Sequence, residues 1–156
     1  MRLSSPAFEH EGAIPAKYTC DGEQFLSPPL EIDGVPEKAL SLALIMDDPD
    51  VPKEVREDGL FTHWVVFDIP PRTVSVSEGE NPGTLGANTR GEMRYTGPCP
   101  PPDYEPSEHR YFFKLYALDM KLELPLGSPR SAVERCLSAH QLAYAELMGR
   151  YKRTGA

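Results

Sequence analysis

Three apolar segments predict the main strands of a β-rich domain. Residues 40–46 are almost continuously apolar and are followed by charged residues and proline, which is typical of a central strand buried on both faces. Residues 61–69 and 109–118 are rich in aromatic and β-branched residues and are also interpreted as strands. Side chains alternate between the faces of a strand, so His63 and His109 are each expected at the end of an otherwise apolar face. The predicted faces are formed by Phe61, His63, Val65, Phe67 and Ile69, and by His109, Tyr111, Phe113, Leu115 and Ala117.

The C-terminal region carries the pattern of an amphipathic helix. Ser128-Pro129 offers an N-cap followed by proline at the first helical position, and Ser131 with Glu134 offers a capping box. Apolar and aromatic positions then recur at three- and four-residue spacing. This stripe is formed by Val133, Leu137, His140, Tyr144, Leu147 and Tyr151. We therefore predict a helix here, with His140 as a packed, hydrogen-bonded core residue and not as part of a site.

The remaining chain favours short strands joined by loops. Residues 1–30 have an irregular pattern, residues 53–60 form an acidic loop, and residues 71–96 predict a long connection with short strands. Proline accounts for 17 of the 156 residues, about twice the usual share of roughly 5%. Because proline breaks helices and is excluded from central strands, we predict a mainly β fold in a single domain spanning residues 1–156.

Charge and hydropathy narrow the classes of partner. The formal net charge is −8 and the isoelectric point is about 5.0, which argues against binding to nucleic acid or to an anionic membrane surface. A local pocket for one phosphate group remains compatible with this charge. No apolar run approaches the roughly 20 residues of a membrane span, and the first residues lack the apolar core of a signal peptide. We therefore expect a cytoplasmic protein without integral membrane association.

The three cysteines, Cys20, Cys99 and Cys136, form no CxxC motif and predict no zinc site. Buried free thiols are the simplest interpretation of an odd number of cysteines. A bond between Cys20 and Cys99 stays open, because each lies in a loop next to one of the motifs described here.

The candidate chemistry lies where strand-like segments meet proline-rich loops. Asp48 and Asp50 follow the first apolar run, while His63 and His109 begin the next two predicted strands. A neighbouring carboxylate can keep a histidine protonated at neutral pH, so two such rings can donate hydrogen bonds to an anion. The aspartates can orient the histidines or bind the ammonium group of a zwitterionic ligand.

Two further residues complete the predicted pocket. Tyr111 shares the strand face of His109 and supplies a neutral hydroxyl donor. Gly97 lies in the segment Gly-Pro-Cys-Pro-Pro, where its lack of a side chain allows close approach of the backbone and the prolines stiffen the loop. The predicted ligand-binding set is Asp48, Asp50, His63, Gly97, His109 and Tyr111.

Two alternatives use the same residues differently. Cys99 with a histidine, or the His and Asp set with a metal ion, would make a hydrolase. The chain has no GxSxG elbow, P-loop, GxGxxG or HExxH motif that would favour catalysis. A protein-interaction module with a vestigial pocket is the other alternative. We therefore predict a non-enzymatic anion-binding protein without a cofactor or a bound metal.

Several segments of this chain resemble the phosphatidylethanolamine-binding protein family, also called Raf-kinase-inhibitor-like proteins, and its bacterial and archaeal branch in particular. The combination of DPDxP followed by HW, and of GPCPP followed by HRY, is specific. The matching segments are YTCDG at 18–22, SPPL at 27–30, SLALIMDDPDVP at 41–52, HWVVFDIP at 63–70, GPCPP at 97–101, HRYFFKLYALD at 109–119 and AHQLAYAELMGRY at 139–151.

The resemblance implies a central antiparallel sheet packed on a smaller sheet, with a C-terminal helix. It also implies a pocket for phosphate or a phosphoethanolamine-like headgroup, formed by the residues named above. A regulatory role towards a protein target such as a kinase or protease, and a homodimer, are further implications. The chain departs from the family pattern in a longer, acidic segment at 102–108, in the sequence NTRG at 88–91, and in Val51, where alanine is usual.

Overall fold

The computed structural model describes residues 1–153 and folds them mainly into two antiparallel sheets. The larger sheet has the strand order β6-β4-β3-β7-β8, and the smaller sheet has the order β1-β2-β5. The strands are β1 (Arg2–Ser4), β2 (Leu30–Asp33), β3 (Ser41–Asp48), β4 (Phe61–Ile69), β5 (Ser75–Val76), β6 (Thr84–Leu85), β7 (Glu108–Leu118) and β8 (Gln141–Lys152). Helix α1 covers Arg130–His140, and a 3₁₀ turn covers Ala16–Tyr18. The predicted mainly β architecture with a C-terminal helix is confirmed.

Strand β3 is the centre of the fold, as its apolar sequence predicts. All eight of its residues are buried, and it pairs with β4 on one side and β7 on the other. Its two faces belong to different apolar clusters. Leu42, Leu44 and Met46 pack with residues of the smaller sheet, whereas Ala43 and Ile45 pack with Val133 and Leu137 of α1 and its neighbours. The larger sheet is therefore the middle of three layers.

The prediction that Val65 and Phe67 share the strand face of His63 is wrong. The register of β3 and β4 pairs Met46 with Trp64 but Asp47 with Thr62, so His63 is an extra residue in a β-bulge. Val65 and Phe67 consequently face α1. His63 instead contacts Tyr111, which lies in the cluster on the other side of the sheet. A bulge reverses the alternation that a uniform period of two assumes.

The predicted C-terminal helix is too long. The observed helix α1 ends at His140, and residues 141–152 form β8, the edge strand paired along β7. Leu147 lies opposite Phe113, and Tyr151 lies opposite His109. Spacings of three and four fit a helix, but Ala145, Leu147, Gly149 and Tyr151 also fit a strand that buries alternate residues. Pairing with the long strand β7 decides between the two because it satisfies the backbone of both strands.

The start of the helix and His140 also differ from the prediction. Pro129 occupies the N-cap position without a side-chain cap, and the Ser128 hydroxyl donates to the Pro125 carbonyl instead. His140 is hydrogen-bonded as predicted, with Nδ1 2.8 Å from Asp119 Oδ1, but it lies at the surface and not in the core. Residues 1–30 are not wholly irregular either, since β1 pairs with β2. No helix within residues 1–153 has the length and apolarity needed to cross a membrane.

Candidate functional site

A cavity of about 370 Å³ opens where the end of β3 meets the beginnings of β4 and β7. The antiparallel order of these strands brings Asp48, His63 and His109 together, although they are far apart in sequence. Polar and basic groups line one part of the wall, and apolar side chains line the rest. The lining residues are Asp48, His63, Thr96, Gly97, His109, Arg56, Arg90, Val51, Val55, Phe61, Cys99, Pro100 and Pro101.

Asp48 and His109 form a buried pair in this wall. His109 Nδ1 lies 2.7 Å from Asp48 Oδ2, and their side chains are 1% and 5% exposed, respectively. Asp48 Oδ1 accepts from the backbone N–H of Asp50 at 2.8 Å, which closes a tight turn after β3. Burial lowers the pKa of His109, but the bond to Asp48 and the charges of Asp48 and Asp50 outweigh burial and raise it above its ordinary value. The pair with Asp48 therefore favours the protonated imidazole.

The second ring nitrogen of His109 makes no well-formed hydrogen bond within the protein. Nε2 is buried and forms no hydrogen bond within normal limits of distance and angle to residues 1–153. The Pro106 carbonyl is near enough to favour the charged ring without meeting those limits. A buried donor without an acceptor costs about 1–3 kcal/mol, so this nitrogen marks the place where a ligand would be held.

His63 is in a different state. Its Nδ1 lies 2.7 Å from the Thr96 carbonyl oxygen, which can only accept, so Nδ1 carries the proton. Burial lowers the pKa of His63 to about 4, against the opposing effects of the Thr96 carbonyl and the charge of Asp48. At neutral pH the ring is uncharged, and Nε2 is an acceptor. This departs from the expectation that both histidines are protonated donors.

Tyr111 contacts the rings of both histidines but does not line the cavity. Its ring centroid is 5.3 Å from that of His63 and 6.4 Å from that of His109. The side chain is fully buried, and its hydroxyl has no hydrogen-bond partner within the part of the chain that the structure describes. Burial and the nearby carboxylates raise its pKa, so it stays a neutral donor. Two neighbouring rings, those of Tyr111 and His109, therefore each have a buried polar atom without a hydrogen bond.

The structure places Asp50 and Gly97 differently from the other predicted residues. Asp50 is outside the cavity wall, where it accepts three hydrogen bonds from the backbone and guanidinium of Arg110 at 2.8–3.0 Å. Gly97 lines the cavity, but its N–H donates to the Gln24 carbonyl at 2.7 Å. A Cβ there would come within 2.3 Å of the Tyr18 carbonyl oxygen. The missing side chain serves packing against the 18–24 segment.

A disulfide fixes the loop that carries Gly97. Cys20 and Cys99 are bonded, so the interpretation of these two cysteines as free thiols is wrong, while Cys136 is free. The Cys20 N–H donates to the Pro98 carbonyl, and the Tyr95 hydroxyl donates to the Tyr18 carbonyl. These contacts hold residues 95–99 in position, and with them the Thr96 carbonyl that orients His63.

Sequence reasoning missed several residues of the wall. Arg56 and Arg90 add two positive charges at its rim, and Phe61 packs against His63 with the two rings tilted and their centroids 4.6 Å apart. Arg90 lies in the NTRG segment, and the departure of this segment from the family pattern was the only feature of the sequence that could have pointed to Arg90. Thr96 acts through its backbone carbonyl, so no side-chain motif could have marked it.

The structure also bears on the Cys-dependent and metal-dependent hydrolase alternatives. Cys99 is oxidised to a disulfide, so the Cys-dependent hydrolase lacks its nucleophile. No group of three or more His, Cys, Asp or Glu side chains suited to a metal ion occurs within residues 1–153. A larger groove of about 730 Å³ runs past β1 and β2, but His109, whose Nε2 is one of the two buried unpartnered atoms of the described chain, lines the smaller cavity.

Comparison with known proteins identifies relatives of the whole chain. A UPF0098 protein of Methanothermobacter thermautotrophicus is 46% identical over 160 residues, covering 98% of this chain and 99% of the relative. A UPF0098 protein of Chlamydia pneumoniae is 45% identical over 155 residues, covering 99% of this chain and all of the relative.

Solved structures agree with these sequence relatives. A Chlamydia trachomatis protein described as a phosphatidylethanolamine-binding protein homolog has a TM-score of 0.92 and 43% identity, covering 98% of this chain and 97% of its own. Escherichia coli YbcL, described as a member of the mammalian PEBP family, has a TM-score of 0.83 and 25% identity, with 98% of each chain covered. Residues 4–152 match the family model described as phosphatidylethanolamine-binding protein. The chain therefore belongs to the phosphatidylethanolamine-binding protein family.

Proposed function

We propose that this protein binds a small phosphate-like anion in the cavity between His63 and His109 and does not catalyse a reaction on it. The observation that carries the proposal is the pair of buried polar atoms without partners, Nε2 of His109 and the hydroxyl of Tyr111. Both are donors when His109 is protonated, and an oxyanion supplies the acceptors that the protein does not. Arg56 and Arg90 at the rim add favourable charge despite the acidic chain as a whole.

The wall favours binding over catalysis. Among the described residues that line the cavity there is no serine and no free thiol, because Cys99 is in the disulfide. The apolar part of the wall, including Val51, Val55 and Phe61, suits the uncharged portion of an organic phosphate. The family name points to a lipid headgroup as one source of such an anion, and free phosphate is another.

The wider role is also a proposal. A regulatory action on a protein target, a homodimer and a cytoplasmic location are expectations taken from the sequence and from the family resemblance. The Cys20–Cys99 bond sets a condition on the expected cytoplasmic location, because disulfides persist mainly in oxidising compartments and in the cells of hyperthermophiles and are rare in other cytoplasm.

Titration with inorganic phosphate and with phosphoethanolamine, followed by NMR of the histidine rings, tests the binding site. We expect saturable shifts at His63 and His109, and loss of binding in His109→Gln. His140→Gln is the matched control, because His140 also pairs with an aspartate at 2.8 Å but lies at the surface. Absence of any shift at His63 and His109 at millimolar ligand, or equal losses in both variants, would contradict the proposal.

A further inference from the structure

The two histidines present opposite hydrogen-bonding atoms to the same cavity. Each ring uses Nδ1 within the protein, on Asp48 for His109 and on the Thr96 carbonyl for His63. A carbonyl cannot donate, so the proton of a neutral His63 is on Nδ1 and its Nε2 has a lone pair. His109 Nε2 is buried and makes no hydrogen bond within normal limits, with the Pro106 carbonyl as its nearby backbone group. When His109 is protonated, its Nε2 offers a donor to the ligand, whereas Nε2 of His63 offers an acceptor.

We propose that the cavity selects an oxyanion that still carries one proton, with the ligand O–H donating to His63 Nε2 and an unprotonated oxygen accepting from His109 Nε2. This inference rests on the proposed function and specifies its ligand class: hydrogen phosphate or the monoanion of a phosphomonoester, in preference to an intact lipid headgroup, whose phosphodiester carries no proton at neutral pH. No bond is broken in this recognition. His63 becomes the residue that determines specificity, while His109 supplies most of the attraction.

The charges around His63 are compatible with a neutral ring. Asp48 and Asp47 of β3 favour its protonation, but each carboxylate is already paired with a cation of the protein. Arg90 opposes protonation from the other side, and Arg56 shares the rim with it. From β7, His109 carries positive charge and Tyr111 is neutral. The ring is also 95% shielded from solvent, since His63 is only 5% exposed.

Sulfate is the discriminating comparison because it resembles hydrogen phosphate in size and charge but has no proton. A sulfate oxygen would face the lone pair of His63 Nε2 and leave that acceptor buried and unpaired. An unpaired buried polar group costs about 1–3 kcal/mol, which corresponds to a preference of roughly fivefold or more for phosphate. Methyl phosphate adds an internal control, because its last proton leaves with a pKa of about 6.

The test measures affinities of inorganic phosphate, sulfate and methyl phosphate by calorimetry between about pH 5.5 and pH 8. We expect phosphate to bind at least about fivefold more tightly than sulfate throughout. The affinity of methyl phosphate should fall relative to that of inorganic phosphate as the pH rises past the pKa of methyl phosphate, because inorganic phosphate keeps a proton over this range. Nitrogen NMR of the histidine rings should show His63 Nε2 unprotonated and both nitrogens of His109 protonated at pH 6.

The outcomes separate this inference from the proposed function. Equal affinity for phosphate and sulfate, with both shifting the two histidines, would leave an anion site and overturn the proton selectivity. A protonated His63 Nε2 at pH 6 would also overturn it. Failure of every anion to bind at these histidines would overturn the proposed function and the inference together.

A variant sharpens the assignment to His63. Glutamine can turn its amide to donate or to accept, so His63→Gln should bring the ratio of phosphate to sulfate affinity to within about threefold of one while sulfate still binds. A ratio unchanged from the original protein would contradict the role of His63. If the variant does not fold, the nitrogen spectra of the unaltered protein still decide the protonation of the ring.

Discussion

Asp47 and Asp48 are neighbours on β3, but they face opposite sides of the sheet and meet opposite conditions. Asp47 is 1% exposed and is surrounded by donors from three elements. Its carboxylate accepts from Thr62 Oγ1 at 2.8 Å, Lys114 Nζ at 3.1 Å and Arg130 Nη2 at 2.8 Å. Burial raises the pKa of Asp47, but Arg130, Thr62 and Lys114 outweigh burial and lower it overall. The Asp47 carboxylate therefore has its hydrogen-bond partners within the protein and needs no ligand.

Asp48 is equally buried, but its partner is not satisfied. His109 bonds to Asp48 through Nδ1 and leaves Nε2 without a well-formed hydrogen bond, and the hydroxyl of the neighbouring Tyr111 ring is also unpartnered. The same residue type therefore belongs to a fully paired structural ion cluster on one face of the sheet and to the candidate ligand site on the other. The difference lies in the partner atoms, because burial and charge are nearly the same. A deletion on the Asp47 side should act on stability, and one on the Asp48 side should act on binding.

Removing the charge of Asp47 should have the largest effect on stability. In Asp47→Asn the guanidinium of Arg130 and the ammonium of Lys114 lose their shared counter-ion while still partly buried. Breaking a buried pair in this way costs about 3–5 kcal/mol, measured as the free energy of unfolding in urea. Phosphate affinity should stay within threefold. Asp33→Asn is the control, since its pair with Arg2 is exposed and should contribute less than about 1 kcal/mol; equal losses would remove the contrast.

The pH dependence of stability should separate the two histidines of the site. His63 has a folded pKa of about 4, below its unfolded value of about 6.5. As the pH falls from 6.5 to 4, the unfolded state takes up this proton first, so His63 lowers stability by roughly 3 kcal/mol in total. Above pH 6.5 this effect is absent.

His109 has the opposite sign. Its raised folded pKa means that its contribution is fully present below the unfolded value of about 6.5 and is lost as the pH rises through the folded pKa. Unfolding in urea from pH 4 to 8, for the original protein and for His63→Gln, isolates the His63 effect as the difference between the two curves. Parallel curves would show that His63 does not titrate with a lowered pKa.

The disulfide should matter for stability and for the order of the site. Cys20 and Cys99 are 79 residues apart, and replacing both by serine should cost about 2–4 kcal/mol, because the unfolded chain loses a constraint. We also expect weaker phosphate binding, since the bond helps to hold residues 95–99 against His63. Cys136→Ser changes the free, half-buried cysteine of α1 and should be nearly neutral. Melting temperatures and phosphate titrations of both variants, without reductant, provide the measurement.

Asp48→Asn should show the reverse of the Asp47 result. His109 can release its proton when the carboxylate is removed, which Arg130 and Lys114 cannot do, so we expect a stability loss of only about 1–3 kcal/mol. Loss of the charged His109 donor should weaken phosphate binding by roughly tenfold or more. Calorimetry of both variants under the same conditions measures the two effects. A larger binding loss in Asp47→Asn would break the contrast between the faces.

The sequence predicts the strands better than it predicts which atoms are free at their ends. The apolar run at 40–46 identifies β3 because a strand buried on both faces needs no polar positions. The bulge at His63 and the strand β8 escape prediction, since both depend on pairing with neighbours that a local pattern does not contain. Asp48, His63 and His109 could be selected as a pocket from their motifs. The opposite protonation of the two rings could not, because it depends on the Thr96 carbonyl and on burial.

Arg90 gives the smallest and most specific test of what the sequence missed. It stands at the exposed rim, where its charge lowers the pKa of His63, and no ion pair with it occurs among the described residues. Because an exposed charge is screened by solvent, Arg90→Gln should weaken phosphate binding only about two- to fivefold, and less at high salt. Arg72→Gln, outside the cavity wall, is the matched control and should have no effect on binding. A loss from Arg90→Gln as large as that from Asp48→Asn would mean that the anion sits at the rim and not between the histidines.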